Sequence, residues 1–286
     1  MNKKAYFILL FFIAFSSIEA QNTKQKVRVY LLAGQSNMDG RGDGSKLTSE
    51  DLARLQKAKE KVTLAYYTFS KKQSAPLYVT KSPDFVKKKF GIDSYFGPEL
   101  FFGIEMSEKY PDDKILLIKR AIGGTSLYGC WNPDWTKEKA SLMNEEKKPK
   151  LFSNFISYTK DILSQYNAID YEICGMLWVQ GEADSNVKKY GPIPAETYGI
   201  NLKNLIYSVR DEFQAPNLPF AVLEVGYGNV VEGMKTVSSQ MQDVTLIPCS
   251  TDPKSPNYRP TYGPPVGHYN YEGMKQIGID FAKVFE

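Results

Sequence analysis

The feature that most constrains this chain is an alternation of two periodicities. Five short runs are almost continuously apolar: VRVYLLA (27–33), KILLIKRA (114–121), ICGMLWVQ (173–180), PFAVLEVG (219–226) and VTLIPCS (244–250). Such runs suit strands covered on both faces, as in a parallel sheet. Between and after them, apolar residues recur at three- and four-residue spacing, the stripe of a helix with one buried face. The stripes are Leu100, Phe101, Ile104 and Met106; Leu151, Phe152, Phe155, Ile156, Ile162 and Leu163; Tyr198, Leu202, Leu205, Ile206, Val209 and Phe213; a weaker Val231, Met234, Val237 and Met241; and Met274, Ile277, Phe281 and Val284. Strand–helix alternation predicts an α/β fold. Five strands with crossovers fit a flavodoxin-like three-layer α/β/α sandwich on a mainly parallel five-stranded sheet. No linker, internal repeat or low-complexity tract interrupts the pattern, so residues 21–286 read as a single domain.

The first twenty residues belong to a different category. Lys3 and Lys4 precede eleven apolar residues, Ala5 to Phe15, and small and polar residues follow as far as Ala20. Residues 1–20 therefore read as a secretory signal peptide. The apolar run is short for a bilayer span. No cysteine follows it closely to carry a lipid, so no membrane anchor is expected and the mature chain is expected to be secreted or periplasmic. Export permits disulfides. With Cys130, Cys174 and Cys249, at most one bridge can form, and the apolar runs around Cys174 and Cys249 suit buried free thiols.

Charge and histidine content exclude whole classes of chemistry. A net +4 spread over 36 basic and 32 acidic residues is too mild and too mixed to point to nucleic acid. His268 is the only histidine, so a zinc site needing two or three imidazoles cannot be built within one chain. No metal and no cofactor is expected.

Four motifs stand at strand ends or in the last loop. LLAGQSNMDGRG (31–42) runs an apolar strand into Gly34, Gln35 and Ser36. In a parallel sheet that end is where ligands bind, and Ser36 could serve there as a nucleophile or simply cap the next helix. Gly123 and Gly124, after the second run, allow close backbone approach and N–H donors for an oxyanion, or just a tight turn. Trp178-Val179-Gln180-Gly181-Glu182-Ala183-Asp184 offers an amide and two carboxylates after the third run. Gly267-His268-Tyr269-Asn270 carries the only possible imidazole base. Each signal is weak alone. Together they form the inventory of acyl transfer: nucleophile, oxyanion donors and base.

With GQSNM, GGTS, WVQGEAD and GHYN in this order, the chain resembles the SGNH-type hydrolases. It is most similar to the branch containing sialate O-acetylesterases and the acetylxylan esterases of carbohydrate esterase family six. The resemblance covers about residues 28–284. It implies a flavodoxin-like fold, no metal, and removal of acetyl groups from carbohydrate hydroxyls by a serine carboxylic-ester hydrolase. It makes Ser36 the nucleophile and His268 the base. The oxyanion donors it implies are the N–H of Ser36, the N–H of Gly124 (or of Gly123) and the side chain of Gln180.

One departure matters. The pattern places an aspartate three residues before the histidine, where this chain has Pro265. Glu182 is the favoured replacement, and the resembling branch supplies precedent for it. Asp252 and Asp184 are the alternatives, and a Ser–His dyad held by a backbone carbonyl is a fourth arrangement. Two loops, 122–150 and 252–270, are rich in rings that could pack on sugar faces. Substrate contacts are expected from Asn37, Trp131 and Tyr269, with Tyr128, Trp135 and Tyr262 as further rings. Arg120 is open to two readings, a contact with a carboxylated sugar or a surface ion pair. The expected partner is an acetylated carbohydrate, acetylxylan or a similar glycan, with a sialate as alternative. A long-chain lipase or thioesterase and a non-catalytic carbohydrate-binding protein derived from an esterase are the competing readings.

Overall fold

The computed structural model describes residues 26–250, 252–263 and 267–285. The signal segment 1–20 and Pro265 lie outside these residues. The main sheet has seven strands: β1 (Val27–Gly34), β2 (Val62–Tyr67), β3 (Lys72–Pro76), β4 (Lys114–Ala121), β5 (Tyr171–Val179), β6 (Phe220–Leu223) and β7 (Val244–Ile247). Their order is β7-β6-β5-β1-β4-β2-β3. Every pairing is parallel except that of β2 with β3. The five apolar runs are β1, β4, β5, β6 and β7. Counted among themselves they lie in the order 2-1-3-4-5, the flavodoxin-like winding.

The sheet thus has two strands more than the five expected. β2, VTLAYY, is largely buried, but Thr63 and two tyrosines break its aliphatic character. β3, KQSAP, alternates exposed and half-buried residues. As the edge strand it is blunted by Lys72 and Pro76, so its polarity hides it from an apolar-run reading. A second, three-stranded antiparallel sheet joins Gly42–Asp43, Ser94–Phe96 and Thr80–Lys81.

The helices used below are α1 (Ser36–Asp39), α2 (Ser49–Ala58), α3 (Asp84–Phe90), α4 (Glu99–Lys109), α5 (Leu151–Leu163), α6 (Tyr198–Glu212), α7 (Asn229–Gln240) and α8 (Tyr271–Val284). Connections from β1 through β2 to β4 lie on one side of β1, and the chain then crosses to β5, β6 and β7 on the other. Right-handed crossovers running in opposite directions place their helices on opposite faces of the sheet. α2, α4 and α8 pack together, and so do α6 and α7. No helix among the described residues is long and apolar enough to cross a membrane.

Register positions the site. Gly34 at the end of β1 is level with Ala121 of β4 and Val179 of β5. Three adjacent strands therefore stop together at the point where the winding reverses, and their exit loops converge over one crevice. Beneath it lies a buried ion pair, Lys119 Nζ to Glu99 Oε2 at 2.6 Å. Lys119 also donates to the carbonyl of Asp39 in α1, which accounts for a lysine inside an apolar strand.

Candidate active site

The turn after β1 is built by close approach. A Cβ on Gly34 would lie 2.0 Å from the carbonyl oxygen of Val179, so only glycine fits. The Gln35 N–H donates to that same carbonyl at 2.9 Å. Ser36 is then the first residue of α1. The residue at the helix cap is Gln35, and it makes no side-chain capping bond. Ser36 Oγ is free of the capping role and instead lies 2.9 Å from His268 Nε2. The two residues are 232 positions apart in sequence.

His268 stands just before α8. Its carbonyl accepts from the Tyr262 N–H at 2.7 Å, and Asn270 caps α8 through its side chain. The ring of Phe90 meets the imidazole edge-to-face, with centroids 5.3 Å apart.

The three carboxylates are used differently. Glu182 borders the crevice with Ser36 and His268. Its Oε1 accepts from Asn37 Nδ2 at 2.6 Å, while Oε2 is buried with no partner among the described residues. Burial pushes its pKa up, against the hydrogen bonds it accepts. Asp184 is fully buried and accepts from the N–H groups of Leu127 and Tyr128 and from Gln180 Nε2. Burial outweighs those bonds and raises its pKa to about 7. Its oxygens are thus committed to holding the 126–130 loop against β5. Asp252 is exposed and accepts from the Lys254 N–H. Neither Asp184 nor Asp252 lines the crevice.

Gln180, expected as an oxyanion donor, is fully buried. Its Nε2 donates to Asp184 at 2.6 Å and to the Thr125 carbonyl at 3.1 Å, with Gln35 Oε1 at 3.3 Å. It is a strut behind the site, and Gln35 rather than Gln180 lines the crevice. Gly123 and Gly124 both line it. A Cβ on Gly123 would lie 3.4 Å from that of Ser36, whereas Gly124 takes φ +65° in open space. The Gly124 carbonyl is held by Lys148 Nζ at 2.7 Å.

The expected substrate contacts fall elsewhere. Asn37 is buried, bridging Glu182 and the Tyr269 N–H, which reaches its Oδ1 at 3.4 Å. Trp131 is 1% exposed, packs edge-on against Phe155 and Trp178, and donates to Thr125 Oγ1. It is a core residue, not a sugar platform, because the loop that carries it folds inward over α5. Tyr269 packs against the core and does not border the crevice. Tyr128 and Trp135 do not border it either, and Tyr262 donates to the Arg41 carbonyl. Arg120 is buried, bonding Asn154 and the carbonyls of Tyr67 and Thr68. All three cysteines are free thiols.

The crevice holds about 1170 Å³. Several lining residues escape sequence reasoning: Arg41, Phe69, Lys71, Lys81, Phe85, Lys89, Phe90 and Lys148. Arg41 is buried, paired with Asp39 at 2.6 Å. Phe69, two residues after Tyr67, and Phe85, next to Val86, carry no sequence signal that sets them apart. Among the described residues no cluster of His, Cys, Asp and Glu could hold a metal ion. A hydroxyl hydrogen-bonded to an imidazole beside glycine amides is an arrangement able to attack a carbonyl and hold the resulting oxyanion.

Comparison with known proteins bears on the fold and the family. Solved structures with the same fold include an Arabidopsis thaliana protein, 20% identical over 90% of this chain and 97% of that one, with a TM-score of 0.62. NanS is 11% identical over 92% of this chain and 97% of its own, at 0.55. A carbohydrate acetylesterase from Xanthomonas citri is 14% identical over 90% of this chain and 55% of its own, at 0.54. No curated protein matches the chain by sequence. Residues 26–285 match the family described as carbohydrate esterase, sialic acid-specific acetylesterase. The chain therefore belongs to this family of carbohydrate esterases.

Proposed function

We propose that the protein removes acetyl groups from sugar hydroxyls through a serine acyl-enzyme. The observation that carries this reading is the 2.9 Å contact between Ser36 Oγ and His268 Nε2 at the rim of the sheet. His268 takes the Ser36 proton as Oγ attacks the acetyl carbonyl. The N–H groups of Ser36 and Gly124, or of Gly123, hold the oxyanion. His268 then protonates the departing sugar oxygen, water attacks the acyl-enzyme with His268 as base, and acetate leaves. Glu182 supplies the orienting carboxylate, acting with Asn37, which ties it to the backbone beside His268.

The substrate in this reading is an acetylated glycan such as acetylxylan. A second reading, an acetylated sialate, is favoured by the lysines on the crevice wall: Lys71, Lys81 and Lys89. Attraction between such a wall and a sugar carboxylate is weakened by salt. The signal segment supports a secreted or periplasmic site of action.

Acetate release from acetylated xylan and from acetylated sialosides tests the reading. Ser36→Ala should lower turnover by roughly 10³-fold or more, and an organophosphonate ester should label Ser36 in the wild type. Wild-type turnover by purified Ser36→Ala would overturn it.

A further inference from the structure

The crevice carries two rings that neither the core nor the proposed chemistry uses. Phe69 is 74% exposed and Phe85 is 62% exposed, yet both border the cavity that contains Ser36 and His268. Isolated exposed apolar side chains are ordinary, but large rings gathered at one concavity mark a binding surface. Both are mounted on tied-down backbone. Phe69 sits in the turn joining β2 to β3, closed by the Thr68 N–H donating to the Lys71 carbonyl at 2.8 Å. Phe85 lies in the first turn of α3, next to Val86. Val86 is buried in a separate small core with Ile92 and Tyr95. The Arg41 guanidinium stands 6.0 Å from the Phe85 ring centre. Holding the rings in place reduces the entropy lost when a ligand packs on them.

Size narrows the ligand. A pocket of roughly 300–1,000 Å³ encloses a drug-sized molecule. At about 1170 Å³ this cavity would be mostly empty around one acetylated sugar ring. Sugar rings have an apolar face that packs on an aromatic face, with hydroxyls left to the surrounding polar groups. Lys71 and Lys89, each near one of the two rings in sequence, are on hand for those hydroxyls.

We infer that Phe69 and Phe85 form a subsite for sugar rings beyond the acetylated one, so that the ligand of this crevice is an oligosaccharide rather than a single sugar. This inference rests on the esterase reading for its kinetic test, but not for its binding test. The wild type and a Phe69→Ala/Phe85→Ala double variant are compared on acetylated xylo-oligosaccharides of one to six rings. In the wild type kcat/KM should rise with chain length. The ratio of kcat/KM for six rings to that for one ring should fall at least tenfold in the double variant, about the loss expected from removing two stacked rings. An unchanged ratio overturns the subsite. If the wild type hydrolyses none of the series, the acetylxylan reading of the substrate fails instead. The subsite is then decided by calorimetric binding of unacetylated xylo- and sialo-oligosaccharides. Affinity growing with length in the wild type and lost in the double variant supports it. Affinity independent of length, or equal in the two proteins, overturns it.

Discussion

Asn37 shows how much one buried amide can organise. It donates to Glu182 at 2.6 Å and accepts from the backbone N–H that follows His268. Asn37→Ala removes the amide donor to Glu182 Oε1 and leaves a buried carboxyl without that bond, at a cost of about 1–3 kcal/mol. In the proposed mechanism the variant should lose roughly 10- to 100-fold in kcat with little change in KM, since it disturbs geometry rather than ground-state binding. Steady-state kinetics on an aryl acetate would check this, and wild-type kcat would remove Asn37 from the positioning role. At this scale the sequence was only partly informative. Ser36 and His268 stood out because they were scarce or placed at a strand end. Trp131 and Gln180 did not reveal their roles, because a short motif says what a side chain is and not which way its loop faces. Trp131 turns into the core, and Gln180 spends its amide on Asp184, Thr125 and Gln35.

Among elements, the aliphatic strands were legible because β1, β4, β5 and β6 carry runs of buried residues, which leaves little room for polar ones. β2 and β3 were not, since an edge pair tolerates tyrosine, threonine and lysine. The elements that close the site are linked far from it by Asp51. Thr48 and Asp51 form a capping box at the start of α2. The same carboxylate accepts from Lys275 at 2.6 Å and from the Tyr271 hydroxyl, both on α8. Burial alone would raise the Asp51 pKa, but the bonds from Lys275, Tyr271 and Thr48 prevail and hold it at about 2. Its folded pKa is thus depressed, so its contribution is present above the ordinary carboxylate range and lost as pH falls through about 2. Asp51→Asn should lower stability by about 1.5–3 kcal/mol at neutral pH, typical for hydrogen bonds to a charged group. The gap from wild type should narrow between pH 4 and pH 2 in denaturant titrations. A constant gap would show that Asp51 is not charged in this role.

For the whole molecule, acids buried to build the site oppose that trend. Asp184 is raised to about 7, so the folded protein retains a proton there that the unfolded chain releases near pH 4. Its contribution is complete below about pH 4 and is lost as pH climbs through 7. Glu182 is shifted in the same direction. Wild-type stability should therefore decline from pH 4.5 to pH 8, and Asp184→Asn should flatten the slope, as read from chemical unfolding midpoints. An equally steep slope in the variant would refute the assignment. A last consequence follows from the 232 residues that separate Ser36 from His268. A growing polypeptide emerges with its hydroxyl long before its imidazole, and the two meet only when α8 docks beside α4. In the proposed mechanism ester cleavage therefore waits until His268 has been synthesised and its loop folded against Ser36, and a product truncated before His268 would lack the imidazole base.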